Sequence, residues 1–393
     1  MPDFPWQVQH NFFSPNKISF GLGAACNVGP ESLLLGGKKI LVVTDPGIVK
    51  AGILEPIRES FQSSGVPYLL FDRVEPEPPS RVVDEGAAYG RSEMCNLVVG
   101  IGGGSSLDAA KGISAMMANE GSILDVCGPE RIPKPGVPLI LMPTTSGTGS
   151  EATRALVITD FTDPRAPRKN TAVSSFLLPD VAIVDPLLTL SVPARITADT
   201  GIDALAHAME AFTSATATPF SDILAEKAIG WIGRYLPVAW AKGSNLEARY
   251  FMSLSSTLAG MAFASGGLGA AHALAHTLGA EYHLAHGPSI SAILLAVMKY
   301  NLFGNPLKYA RVAALLGKNT TNVSDFQAAE TAVDAIRELL ESLKIPHTLG
   351  DYAVPKTDIP KLVQGTMRES RFFALNPRDI SEQDLFEIYE SAF

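Results

Sequence analysis

Cysteine is scarce: the 393-residue chain has three, Cys26, Cys95 and Cys127. Their number is odd and they lie far apart, which excludes a disulfide framework and any cysteine-based metal spacing. A reducing cytoplasm is the expected setting. Positive charge is not in excess either. Lys and Arg total 31 against 40 Asp and Glu, a net charge of −9. Nucleic acid and anionic membrane surfaces need clustered Lys and Arg, so no nucleic-acid or membrane partner is expected. Long apolar runs are missing: stretches such as Leu139-Ile-Leu-Met142 are far too short to cross a bilayer. The N-terminus, Met1-Pro-Asp-Phe-Pro-Trp6, has no basic region followed by an apolar run and does not read as a signal peptide. The chain shows no internal repeat and no low-complexity tract.

At this length one compact core is not expected, and the chain reads as two domains. Short apolar runs alternate with helical patterns in the first half: 39–44, 68–71, 97–100 and 137–142 as strands, with helices around 48–63, 81–93 and from about 107. This rhythm predicts a parallel sheet with helices on both faces. Two further short strands are expected at 155–158 and 181–184. Residues 6–22 alternate polar and apolar and predict an antiparallel hairpin or an arm. His10, with no other ligand type nearby, reads as a surface residue. Beyond Pro186 the patterns are long and amphipathic. They predict helices at 201–213, 219–239, 245–264, 268–280, 287–299, 305–315, 324–343, 358–369 and 381–391. The expected architecture is an α/β dinucleotide-binding domain at 1–190 and an all-helical metal-binding domain at 191–393.

Histidine is rare but not scattered. Four of the seven histidines, His272, His276, His283 and His286, fall within 266–287, and His207 lies in Gly201-Ile-Asp-Ala-Leu-Ala-His-Ala-Met-Glu-Ala-Phe212. Asp203 and His207 are four apart, as are His272 and His276, so each pair projects from one helix face. His286 follows after a break at Gly279. His283 is out of phase with the others and reads as a bystander. One carboxylate and two or three imidazoles around an open position suit Zn²⁺ or Fe²⁺.

Two Gly/Ser/Thr loops follow strands. In Gly100-Ile-Gly-Gly-Gly-Ser-Ser-Leu-Asp-Ala-Ala-Lys111 the glycines permit close backbone approach, and the helix start offers free N–H groups suited to a pyrophosphate. The loop departs from the G-x-G-x-x-G fingerprint, because Ser105 stands where the last glycine would be. Asp45 ends an earlier strand. It fits a plain turn residue before Pro46 as well as a carboxylate that accepts from a ribose hydroxyl and repels a 2′-phosphate. Pro143-Thr-Thr-Ser-Gly-Thr-Gly-Ser-Glu-Ala-Thr153 is the second loop, with hydroxyls and N–H groups able to line a cofactor. A dinucleotide beside a Lewis acid points to hydride transfer.

On these motifs, together with Val181-Ala-Ile-Val-Asp-Pro186, the chain resembles the iron-containing (group III) alcohol dehydrogenases, the family of lactaldehyde reductase and 1,3-propanediol dehydrogenase. The resemblance runs nearly end to end. It implies a Rossmann-like N-terminal domain and a helical C-terminal domain of the dehydroquinate synthase type, with the active site in the cleft between them. It implies Asp203, His207, His272 and His286 as metal ligands and His276 as a residue that orients substrate or relays a proton. It implies Gly102, Gly103, Gly104 and Ser105 as the pyrophosphate loop, with Asp108 following on the same helix. Thr144, Thr145 and Thr148 match the second cofactor loop. Lys169 matches a lysine that reaches the cofactor, and Asp45 the aspartate of NAD-preferring members. Phe263 and Ala155 match substrate-pocket positions. Ala155 replaces a polar residue of lactaldehyde reductase, which argues against a diol of that kind, while Arg154 leaves an anionic aldehyde open.

The expected activity is NAD(H)-linked interconversion of a primary alcohol and its aldehyde, with Fe²⁺ (or Zn²⁺) stabilising the alkoxide, in a homo-oligomer whose segment 7–21 pairs with a partner subunit. The alternatives are a glycerol dehydrogenase-like zinc enzyme and a non-redox metal lyase or hydrolase of the same fold.

Overall fold

The computed structural model describes residues 9–162 and 168–393. Nine strands are present among them: β1 (Lys17–Phe20), β2 (Ile40–Val43), β3 (Tyr68–Phe71), β4 (Leu97–Gly102), β5 (Gly128–Pro129), β6 (Leu139–Pro143), β7 (Ala155–Asp160), β8 (Arg168–Val173) and β9 (Val181–Val184). Six form one parallel sheet in the order β1-β9-β6-β4-β2-β3. Side chains alternate across a strand. Leu41, Val43 and Val98 therefore enter a core on one face, while Ile40, Val42, Leu97 and Val99 enter a second core on the other. That is why β2, β4 and β9 read as unbroken apolar runs: a parallel sheet is buried on both sides. Helices α1 (Val28–Leu34), α2 (Pro46–Lys50), α3 (Glu55–Ser64), α4 (Ser80–Ser92) and α5 (Gly104–Ala118) join these strands. Ile57 and Phe61 of α3 close one core; Val82 and Val83 of α4, and Ile113 of α5, close the other.

Three expectations are corrected here. Residues 17–20 do not make an antiparallel hairpin; they pair in parallel with β9 at the sheet edge, and residues 6–8 lie outside the described part. The strand at 155–158 does not join the main sheet. It lengthens to 155–160 and pairs antiparallel with β8 in a separate sheet of order β5-β8-β7. The single helix expected at 48–63 is two, α2 and α3, separated by a turn in which Gly52 adopts a left-handed φ of 71°.

From residue 194 onward the described chain is mostly helical: α6 (Ala194–Thr213), α7 (Pro219–Ala241), α8 (Leu246–Gly266), α9 (Ala270–Tyr282), α10 (His286–Asn301), α11 (Pro306–Leu315), α12 (Asp325–Ser342), α13 (Ile359–Met367) and α14 (Glu382–Ser391). Each matches an expected helix. They share one core, with α6 at its centre. Small buried residues on α6 (Ala198, Ala204, Ala208, Ala211) let neighbouring helices approach closely. At Gly201 a Cβ would stand 2.3 Å from Leu236 Cδ1 of α7, so any side chain there would displace the buried Leu236. No single helix among the described residues is long and apolar enough to cross a membrane.

The second Gly/Ser/Thr loop packs the end of the sheet against the helices. Gly149, at φ 60°, lies so close to α8 that a Cβ on Gly260 would meet its carbonyl oxygen at 2.6 Å. Thr257 of α8 donates to the buried Glu151 carboxylate at 2.7 Å. The loop that ends β6 is thereby held against the helical core.

Candidate active site

Helix α6 carries Asp203 and His207 one turn apart, both buried. Helix α9 carries His272 and His276 in the same relation. After α9 the chain reverses at His283, which takes a left-handed φ of 53°. The reversal returns His286, the first residue of α10, towards His272, with ring centroids 5.4 Å apart. Gly287 then packs on α6, where a Cβ would lie 2.7 Å from Asp199 O.

The result is a compact donor cluster. One ligand atom from each of Asp203, His207, His272 and His286 lies within 4.8 Å of all the others. His286 Nε2 is 3.2 Å from Asp203 Oδ1, and His272 Nε2 is 3.8 Å from the same oxygen. Asp203 Oδ1, His207 Nδ1 and His272 Nε2 are buried without a hydrogen-bond partner. Buried polar atoms are nearly always satisfied. Three orphaned lone-pair donors converging on one point fit a cation held by all four residues. Burial opposes charge on Asp203, but His207 and His286 overcome it and hold its carboxyl well below the usual range. Burial also lowers His207, to about 3, which keeps that imidazole neutral and able to ligate.

Glu210 was not foreseen. It lies on α6 one turn beyond His207. Its Oε2 sits 2.5 Å from His272 Nδ1, and its Oε1 accepts from Ala271 N at 2.6 Å. Burial would lower His272, but Glu210 and Asp203 carry it up to about 9, and a cation at the cluster would take the place of its Nε2 proton. The contact orients the ring so that Nε2 faces the cluster, as outer-shell carboxylates do for metal-binding histidines.

Phe263 and His276 lie beside this cluster. Phe263 of α8 stacks on His207 at 4.5 Å between centroids. His276 does not join the donor set. It lines a cleft of about 600 Å³, with its Nδ1 3.4 Å from Glu369 Oε2, and burial lowers it to about 4. Lys169 of β8 lines the same cleft and pairs with Glu77 at 2.7 Å. Glu77 in turn donates its N–H to Ser105 Oγ at 3.3 Å, which connects the cleft to the glycine loop. His283 is exposed and outside the cluster, and His10 is exposed.

The two Gly/Ser/Thr loops touch. A Cβ on Gly104 would come within 2.7 Å of Thr148 Cγ2, and one on Gly103 within 3.6 Å of Thr145 Oγ1. Thr144 N donates to Gly102 O at 2.9 Å. No side chain caps α5, so the N–H groups opening it remain available to an anion. Asp45 fills the turn role considered for it. Its Oδ1 caps α2 by accepting from Gly47 and Ile48, and its Oδ2 accepts from Ser106 at 2.9 Å beside the glycine loop. Asp108 gives its two oxygens to Ser150 Oγ (2.6 Å) and Val157 N (2.9 Å). Lys111, wholly buried, donates to Thr153 Oγ1 at 3.0 Å and to Ala155 O at 2.7 Å. Arg154 points elsewhere: it pairs with Glu130 at 2.7 Å and covers the Phe13 ring.

Comparison with known proteins agrees with this arrangement. Residues 15–186 match the family described as iron-containing alcohol dehydrogenase, and residues 197–393 match the Fe-containing alcohol dehydrogenase family, C-terminal. The chain belongs to the iron-containing alcohol dehydrogenase family. It is 42% identical over 385 residues to the 1,3-propanediol dehydrogenase of Klebsiella pneumoniae, covering 98% of this chain and 97% of that one. It is 41% identical over 394 residues to the choline dehydrogenase of Bacillus subtilis (strain 168), covering 98% and 96%. The crystal structure of a 1,3-propanediol oxidoreductase superimposes with a TM-score of 0.95 at 41% identity, covering 98% of this chain and all of that one. The chain is an NAD-linked alcohol/aldehyde oxidoreductase, and its family implies NAD(H) and an iron or other metal ion. These relatives give no support to a glycerol dehydrogenase-like enzyme or to a lyase or hydrolase.

Proposed function

We propose that Asp203, His207, His272 and His286 hold one Fe²⁺, with Zn²⁺ able to use the same donors, and that the reaction is the reversible oxidation of a primary alcohol to its aldehyde. The convergence of three buried, unpartnered donor atoms carries this reading. A metal ion there supplies Lewis acidity at the substrate oxygen, and NAD(H) supplies the hydride acceptor or donor.

The chain's own residues do the rest. Glu210 fixes the His272 ring. His276, neutral at the cleft wall, orients the substrate hydroxyl and moves its proton. Phe263 and Ala155 wall the pocket. Gly102, Gly103, Gly104 and Ser105 receive the pyrophosphate at the start of α5, with Thr144, Thr145 and Thr148 across from them. Lys169 reaches the cofactor from the cleft side, and Asp45 favours NAD over NADP. Asp108 acts on the cofactor indirectly, by holding Ser150 and the start of β7. We further propose a division into 1–190 and 191–393, a cytoplasmic location, and a homo-oligomer (a dimer or larger) assembled through the free edge of β1. All three cysteines are unpaired, which suits a reducing compartment.

The test is NADH oxidation with a panel of short aldehydes, by protein stripped of metal and then reloaded separately with Fe²⁺ or Zn²⁺. Activity restored by either ion is expected, and the better ion names the metal. Full activity in the stripped protein would refute the metal assignment. Absence of NADH binding would refute the cofactor assignment.

A further inference from the structure

The chain carries a net charge of −9, yet the cleft beside His276 is ringed with cations. Arg168, Lys169 and Arg368 line it. Arg131 and Arg371 line a contiguous recess that shares Lys169, Arg368 and Glu369. The carboxylates facing these cations are Glu369 and Glu281, with Glu77 behind Lys169 and Asp160 beside Arg168. Lys361 pairs with Glu281 at 2.6 Å, and Glu77 pairs with Lys169. Neither Arg131 nor Arg368 has an ion-pair partner among the described residues. In an acidic protein this is a local reversal of sign, and concave walls focus such a field.

The cations are also tied to the chemistry. Glu369 Oε2, 3.4 Å from His276 Nδ1, accepts from Arg371 Nη2 at 3.2 Å. One oxygen therefore joins a cleft guanidinium to the imidazole beside the metal cluster. Arg371 Nη2 also donates to Thr171 Oγ1 at 3.0 Å, which fixes it across from β8. The dinucleotide's own phosphates have a separate place, the uncapped start of α5. With Lys169 assigned to the cofactor, the arginines of the cleft are left to meet an anion that arrives with the substrate.

We propose that this cleft binds the anionic end of the substrate, so that the enzyme acts on a short aldehyde or alcohol with a carboxylate or sulfonate at its far end. Arg368 and Arg371 are the principal contacts, with Arg131 and Arg168 adding field. The inference rests on the oxidoreductase reading above and deepens it.

The test compares kcat/KM of the metal-loaded enzyme, with NADH, for three aldehydes of similar length: butanal, succinic semialdehyde and a quaternary-ammonium aldehyde. The order expected is anionic above neutral above cationic. Charge-assisted contacts of this kind support a preference of about tenfold. Raising the salt concentration should shrink that preference through screening, without any mutation. In Arg368→Gln and Arg368→Glu the anionic-to-neutral ratio should fall stepwise through KM, with NADH affinity unaltered. Equal use of the three aldehydes, or preference for the cationic one, would overturn the proposal and leave the dehydrogenase reading intact. A fall in NADH affinity would assign these cations to the cofactor and also overturn it. Turnover of none of the three aldehydes would count against the oxidoreductase reading itself.

Discussion

Lys111 offers a sharp test of how the two Gly/Ser/Thr loops are held. The side chain is fully buried between α5 and the 150–155 turn, where it donates to Thr153 Oγ1 and Ala155 O. Burial pulls its pKa down to about 8, against the attraction of Asp108 and Glu151. An unfolded lysine titrates near its ordinary value of about 10.4. Between these two values the unfolded chain binds more protons than the folded one, so this group makes stability rise with pH. Integrating that difference from about pH 7 to about pH 9.5 gives roughly 2 kcal/mol. Lys111→Met removes the term. The carboxyls of Asp108 and Glu151 are already pushed up by burial. Without the ammonium they rise further, and a raised carboxyl loses stability as pH rises. Both effects act in one direction. The gap between wild type and variant should therefore widen by at least about 2 kcal/mol across this window. The assay is urea unfolding followed by circular dichroism, read as the difference in midpoints at each pH. Midpoints that stay parallel would refute a buried, pKa-lowered ammonium.

Three further outcomes are expected. Glu210→Gln should weaken metal affinity by about 10- to 100-fold, as loss of an outer-shell carboxylate does, measured by competition with a chelator; unchanged affinity would release Glu210 from that role. His272→Ala should abolish turnover and retain NADH binding by fluorescence titration, and loss of both would contradict the separation of metal and cofactor residues. Asp45→Gly should narrow the ratio of kcat/KM for NAD over NADP while costing only a few tenths of a kcal/mol at the α2 N-cap; an unaltered ratio would leave Asp45 as a cap alone.

Several features were legible in the sequence because local physics dictates them. Ile40–Val43, Tyr68–Phe71 and Val181–Val184 are apolar because both faces of a parallel sheet are buried, and the observed strands match those runs. The nine C-terminal helices follow from a period of 3.6. The same period puts Asp203 with His207, and His272 with His276, on shared helix faces. Strand β8 escaped notice because Arg168-Lys-Asn-Thr-Ala-Val173 is mostly polar and faces a cleft, so it shows no apolar signal. β1 could not be told from a hairpin strand, since the direction of its partner is not written in its own residues.

What the sequence determined by itself was therefore the inventory: strand runs, helix faces, two glycine loops and a set of donors in pairs. Tertiary structure decided which donors meet. His286 joins His272 only because the chain reverses at His283, and Glu210 finds His272 62 positions further along the chain. Arg368, Arg371 and Lys169 become one basic cleft only when the segment after α13 is brought beside β8. Periodicity constrains neighbours within one element. Contacts between elements depend on how their buried faces pack, and that information is spread over the whole chain.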